Sequence, residues 1–225
     1  MAFFSVPSRP VLADIADAFS LAILTGWVAR GHGSDGPRPS LEDAFDALVP
    51  HGSTIQQVCS QWEQSAQVLG PEAASGSALQ AAVVLACSGL TALVGRQVPT
   101  EHALEAIDGM RAGFLQLGQA LSQESSPEAS ALVVGGAFQG LVSQGQAPAA
   151  ALEGALSRRK ALLGEASELG AINQQRFGEE GTPQRLNAVA HLFGASLAGL
   201  VARGESVSEA LACLLYTSPS PRDTR

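Results

Sequence analysis

Helical periodicity, cut at intervals by Pro, Gly and Ser, constrains this chain more than any other feature. Leu12, Ile15, Phe19, Ile23 and Trp27 fall at i, i+3 and i+4 spacings and predict a first helix over about 11–30. Ser40 before Glu42 and Asp43 reads as an N-cap with acids in the first turn, opening a short helix to about Val49. Pro50 and Gly52 end it, and Ser53-Thr54-Ile55-Gln56 resembles a capping box for a helix to about Leu69. Gly70–Ser77 is a Gly/Ser/Pro loop, and an apolar helix over about 77–95 follows. Pro99 starts another, whose Leu104, Ile107, Met110, Phe114, Leu117 and Leu121 form one stripe.

Ser126-Pro127 and Thr182-Pro183 are N-cap and N1 pairs, where the missing N–H of proline costs nothing. They open helices to about Ser143 and Ala202. Between them, Pro148 starts a helix with Leu152, Leu156, Leu163, Ala166 and Leu169 inward, and Gly170–Gly181 is a longer polar loop. Ser206-Val207-Ser208-Glu209 is a capping box for a last helix. No run alternates with period two long enough to be a strand. The predicted fold is all-α: one domain of about eight or nine antiparallel helices with short loops, a bundle or helical barrel over 11–212. Gly89-Leu90, Gly140-Leu141 and Gly199-Leu200 each precede a loop and an Ala/Leu-rich helix. Their unequal spacing suits a solenoid or simply repeated close packing.

With 46% hydrophobic residues, 15% charged and only 5% aromatic, Ala, Leu, Val and Gly must fill the core. Small residues let helices approach closely. The net charge of -8 argues against a nucleic-acid partner, because phosphate contacts need clustered Lys and Arg. The only basic run, Arg158-Arg159-Lys160, reads as a solvated helix face. Ala78–Val94 approaches membrane-span length, but Gln80, Ser88, Gly89 and Thr91 interrupt it. A buried central helix is expected, and no membrane partner. Cys59, Cys87 and Cys213 form no CxxC pair, so neither a zinc site nor a disulfide framework is indicated. Cys59 and Cys87 read as small core side chains, and a cytoplasmic location is expected. Cys213–Arg225 departs from the helical pattern and is similar to a translated sequencing-library adapter. The expectation is a native chain that continues differently beyond about Ala212, and a true start that need not be Met1.

Gly31-His32-Gly33-Ser34-Asp35-Gly36 is a glycine-rich polar loop that matches G-x-G-x-x-G formally. It follows a helix rather than a strand, so the dinucleotide reading fails on context, and no Gly-Lys-Ser/Thr marks a Walker loop. His32, Ser34 and Asp35 are still able to meet a phosphate or a metal, or to form an ordinary solvated turn. Ser75-Gly76-Ser77 precedes the apolar helix, whose N–H groups and dipole suit an anion; plain N-capping explains the serines equally. His51, His102 and His191 are scattered, without the spacing of a metal cage. His191, beside Val189 and Leu192, reads as a packing residue of an apolar helix.

Taken in order, these blocks resemble the DhaL-type nucleotide-binding domain of dihydroxyacetone (glycerone) kinases. That resemblance implies a barrel of eight antiparallel helices, ATP with Mg2+ as cofactor, and a DhaK-type substrate domain or subunit as partner. Gly31–Gly36 stands where the family keeps a Gly-Asp-Gly-Asp-x-Gly loop whose aspartates hold magnesium. Ala74-Ser75-Gly76-Ser77-Ala78-Leu79 resembles its Gly-Gly-Ser-Ser-Gly phosphate loop. Glu101–Ala120, loop 170–181 and the helix from Pro183 match in placement. The resemblance implies a cofactor site of Gly31, His32, Gly33, Ser34, Asp35, Ser75, Gly76 and Ser77, with Asp35 as the metal ligand. His32 and Ser34 replace both motif aspartates, and the family's Asp-Arg-Thr-Met and Gly-Arg-Ala-Ser-Tyr segments have no match. One Asp with His and Ser is a poor magnesium shell, so an impaired or inactive kinase is implied. The alternative is a non-enzymatic all-α interaction or scaffold module, with a homo-oligomer left open. The two readings differ in geometry: the kinase-like one requires loops 31–37, 73–77 and 170–181 to converge at one end of the helices.

Overall fold

A computed structural model describes residues 10–30, 43, 46, 48–71, 73, 74, 76–177 and 183–217. Among these residues there are ten α-helices and no strand. They are α1 Pro10–Arg30, α2 Gly52–Leu69 (after a 3-10 turn at Val49–His51), α3 Gly76–Gly95, α4 Thr100–Asp108 and α5 Arg111–Leu121. They continue as α6 Pro127–Ser143, α7 Pro148–Leu156, α8 Arg159–Phe177, α9 Pro183–Ala202 and α10 Val207–Thr217. The all-α expectation holds. Of the short helix expected over 40–49, Asp43, Asp46 and Leu48 are helical, and Ser40–Glu42 lie outside the described residues.

Four boundaries differ from the sequence reading. The stripe from Leu104 to Leu121 is carried by two helices, because Met110 leaves the helical region at φ -98°, ψ 4°. Ile107 and Phe114 are still both fully buried, so the break re-aims the stripe without interrupting it. The helix from Pro148 breaks at Ser157-Arg158. There the Ser157 hydroxyl and the Arg158 guanidinium both donate to the Gly154 carbonyl, an alternative to the helical ladder. Gly170–Phe177, expected as loop, continues α8, since Ala, Gln and Arg favour a helix and one Gly is tolerated. Likewise α10 runs through Cys213–Thr217, where an abrupt end of helix was expected. Val207, Ala210, Leu211 and Leu214 keep one apolar stripe, and Leu214 packs on the core.

Cross-helix contacts give the bundle its topology. Thr91 Oγ1 donates to the Ala22 carbonyl at 3.2 Å, and Arg30 Nε donates to Val94 O at 2.5 Å, so α1 and α3 run parallel. Arg96 reaches Val142 O at 3.1 Å and Gly135 abuts Ser88, so α3 and α6 are parallel. Asn187 donates to Glu128 and Gln144 to Val201 O, so α6 and α9 are parallel too. After α3 the chain returns antiparallel: Ile107 of α4 lies against Gly89 of α3, and Gly118 of α5 lies against Ala78 and Ala82. Each of α1, α3, α6 and α9 is thus the first helix of a unit with one or two further helices, and the four lie side by side in one layer.

The units repeat. Val28, Val94, Val142 and Val201 occupy one register position near the end of each first helix. Arg30, Arg96, Gln144 and Arg203 follow two residues on, then Gly31, Gln97, Gly145 and Gly204. Val-Ala-Arg-Gly itself occurs at 28–31 and at 201–204. Gln97, Gly145 and Gly204 have φ of 66°, 110° and 108°, the left-handed conformation that ends a helix. Gln97 N–H bonds Val94 O, Gly145 N–H bonds Val142 O and Gly204 N–H bonds Val201 O, all at 2.9–3.0 Å. Of the Gly-Leu pairs, 140–141 and 199–200 share a register. Gly89-Leu90 sits three residues off, because Ala92 occupies that place. The core between the layers is threaded by Phe19, Trp62, Phe114 and Phe138, with successive ring centroids 5.6, 6.0 and 5.9 Å apart.

Candidate functional site

Gly31, His32, Gly33, Ser34, Asp35 and Ser75 lie outside the described residues. Gly76 and Ser77 form the exposed first turn of α3. Arg30, the last described residue before the glycine-rich loop, stands at the other end of α3. It donates to Val94 O and Val98 O and packs over the Trp27 ring at 5.1 Å. About 26 Å of helix separates Ser77 from Val94. Five residues of fully extended chain, the step from Arg30 to Asp35, span at most about 17 Å. Of the third loop, 170–177 is helix and 178–181 lie outside the described residues.

The titratable side chains stay dispersed. No group of three or more His, Cys, Asp or Glu is gathered among the described residues. His51 sits 3.7 Å from Glu101 at the edge of α2 and α4, and His102 is exposed. Buried Cys59 and half-buried Cys87 are free, and burial pushes their thiols up to about 11 and about 12. Cys59 is the core residue expected; Cys87 reaches a surface groove instead.

That groove, about 360 Å³, lies across the first-helix layer. Its lining follows the repeat register. Ala18, Val84, Leu132 and His191 form one row; Ala22, Ser88, Gly136 and Ala195 form a second; Thr25, Thr91 and Gln139 form a third. Each row takes the same position from successive helices, so the groove is the common outer face of the array. None of its lining residues is Asp, Glu, Lys or Arg. Its walls are close because Gly136 and Gly194 put α6 and α9 in backbone contact: a Cβ on Gly136 would stand 2.2 Å from Gly194 O. His191, read from the sequence as a packing residue, is exposed, while its register equivalents Ala18, Val84 and Leu132 are half-buried along the same groove.

Sequence reasoning named Cys87, Ser88, Thr91 and His191 only as helix residues and missed the groove they share, because its lining carries no charged group. The signal that finds them is the recurring Val-x-(Arg/Gln) block, which sets the register from which the rows follow.

Among the described residues, the two helices long and apolar enough to cross a membrane are first helices: α3, with 67% of its apolar window buried, and α9, with 28% of its window buried. α3 is the buried central helix expected, and α9 shows its apolar surface. No family model, curated protein or solved structure matches the chain.

Proposed function

We propose that this chain is a non-enzymatic all-α interaction module whose working surface is the groove across α1, α3, α6 and α9. The observation that carries the reading is the uncharged, row-by-row lining of that groove by equivalent residues of four parallel helices. Arrays of stacked helix pairs characteristically bind through such extended faces. A lining of Ala, Val, Leu, Thr, Ser and Gln suits an apolar, uncharged partner segment seated by shape and burial, with Gln139 and His191 supplying the few directional hydrogen bonds. The kinase-like alternative needs Asp35 and Ser75–Ser77 on one Mg-ATP. The separation of Arg30 from Ser77 along α3 weighs towards the interaction module.

Two titrations on the full chain test the choice. The uncharged dye Nile red reports the apolar groove: its emission rises with the wild type and stays flat with Leu132→Glu at unchanged helicity. Calorimetry with Mg-ATP is silent. Heat from Mg-ATP that Asp35→Ala abolishes would instead restore the kinase reading, and dye binding indifferent to Leu132→Glu would remove the groove from the proposal.

A further inference from the structure

The groove differs in chemistry from one side to the other. On its two inner helices, α3 and α6, the first row is Val84 and Leu132, the middle row is Ser88 and Gly136, and the third row is Thr91 and Gln139. The first and third rows are two helical turns apart, about 10 Å of rise. One wall is therefore apolar, the opposite wall is polar, and the floor between them is made of small residues.

The polar side is one-sided in its hydrogen bonding. Ser88 Oγ donates to Val84 O at 3.0 Å, and Thr91 Oγ1 donates to Ala22 O at 3.2 Å. A hydroxyl has one proton to give, and both are spent inside the array. Thr25 repeats the pattern on α1, donating to Leu21 O at 2.7 Å. What remains for an occupant is lone pairs, since nothing among the described residues donates to these oxygens. Gln139 is half-buried with no hydrogen-bond partner among them, and its amide can turn its carbonyl oxygen to the same side.

Such a wall carries negative partial charge and no full charge, and it selects its occupant by charge complementarity. The group that fits has a broad apolar body and a neutral donor at one edge. A cation would leave water for a wall without a carboxylate, and Phe would leave the oxygens unpaired. Tyr brings an acceptor along with its donor. Trp joins a large apolar body to a donor with no acceptor, and it is among the residues enriched at interface hot spots. At about 360 Å³ the groove is at the small end of ligand pockets, so it suits one large side chain.

We propose, on the reading of this groove as the working surface, that the partner segment anchors there through a tryptophan. Its ring lies on Val84 and Leu132, and its indole N–H donates to the Ser88, Thr91 and Gln139 side.

Ligand-observed NMR on the full chain tests this with N-acetyltryptophanamide, an uncharged Trp between amide bonds, and with its 1-methylindole analogue, which lacks only the donor. N-acetyltryptophanamide binds and displaces Nile red, and the analogue binds roughly three- to tenfold more weakly, the loss of one hydrogen bond. Ser88→Ala/Thr91→Val brings the first compound to the level of the analogue and leaves the analogue unchanged. Thr91 also bonds to α1, so if that variant loses helicity, Ser88→Ala/Gln139→Met carries the same comparison. Equal binding of the two compounds to the wild type overturns the proposal. So does N-acetylphenylalaninamide matching N-acetyltryptophanamide, or N-acetyltryptophanamide that leaves Nile red in place. In each of these cases a Nile red signal that Leu132→Glu abolishes keeps the groove reading, whereas a flat Nile red signal with the wild type removes both.

Discussion

Gly140→Ala and Gly199→Ala are the same substitution at the same register one repeat apart, and they are expected to have opposite signs. Replacing a helix-interior Gly by Ala is intrinsically favourable by about 1 kcal/mol, because Gly loses more backbone freedom on folding. At Gly199 nothing opposes that gain, since its Cβ position is open. At Gly140 the new methyl meets Val201 Cβ at 2.6 Å, Val201 Cγ1 at 2.9 Å and Ala198 O at 3.0 Å. Those atoms belong to the α9 backbone or are anchored to it, so relief requires α9 to move away from α6. Overpacking of this kind costs about 1–3 kcal/mol, which offsets the propensity gain and leaves Gly140→Ala destabilised by up to roughly 2 kcal/mol. In a chain of this size each kcal/mol moves Tm by about 2–4 °C. Urea melts followed by far-UV circular dichroism, on protein dilute enough to be monomeric, read both signs directly. Repeat arrays can lose two-state cooperativity, so the comparison requires an unchanged denaturant slope. A Gly140→Ala protein that melts at or above wild type would refute the close-packed junction. A Gly199→Ala protein that melts below wild type would mean the α9 face is covered in the monomer.

Removing a rung of the donor ladder is expected to cost more than an ordinary surface change. Arg30→Ala loses bonds to Val94 O and Val98 O and the Trp27 stacking, about 1–2 kcal/mol for a part-exposed charged donor, measured by the same melts. Thiol alkylation followed by mass spectrometry at neutral pH is expected to label exposed Cys213 first. Buried Cys59, its thiol raised to about 11, should label only after denaturation, and half-buried Cys87, its thiol raised to about 12, should label far more slowly than Cys213; native labelling of Cys87 at the rate of Cys213 would contradict its raised thiol. Glu209 accepts bonds from the Ser206 hydroxyl at 2.7 Å and its N–H at 3.0 Å, which hold its carboxyl below the ordinary 4.5. A depressed folded pKa gives stability that is present above 4.5 and lost as the pH falls through the lower folded value. NMR titration should show α10 fraying in acid, and Ser206→Ala should return the Glu209 titration towards its ordinary range.

The glycine-rich loop shows how one sequence signal can carry two meanings. Read alone, Gly31–Gly36 is a candidate phosphate loop. Set beside Val94–Gln97, Val142–Gly145 and Val201–Gly204, its first glycine stands in the register where three first helices turn left-handed and stop. Gly76 and Ser77 were legible as a helix start, and they are one. Their distance from Arg30 was not legible, because the direction of α1 relative to α3 depends on the long-range bonds Thr91–Ala22 and Arg30–Val94.

Local chemistry by itself determined that this chain is helical, and nearly where each helix starts except α5 and α8, which open at breaks inside longer predicted helices. Proline at N1, the Ser206–Glu209 box and apolar spacing act within a few residues of themselves, so they survive without knowledge of the fold. It also determined that the helices would pack closely, since 5% aromatic residues leave Ala and Gly to face one another. Only the tertiary structure decided that first helices lie parallel in a layer, that Gly136 and Gly194 touch backbone to backbone, and that His191 faces solvent. Those outcomes turn on which apolar stripe meets which. Stripes of Ala, Val and Leu are nearly interchangeable in hydrophobicity, so the choice falls to shape complementarity and to a few side-chain-to-carbonyl bonds between residues far apart in the chain.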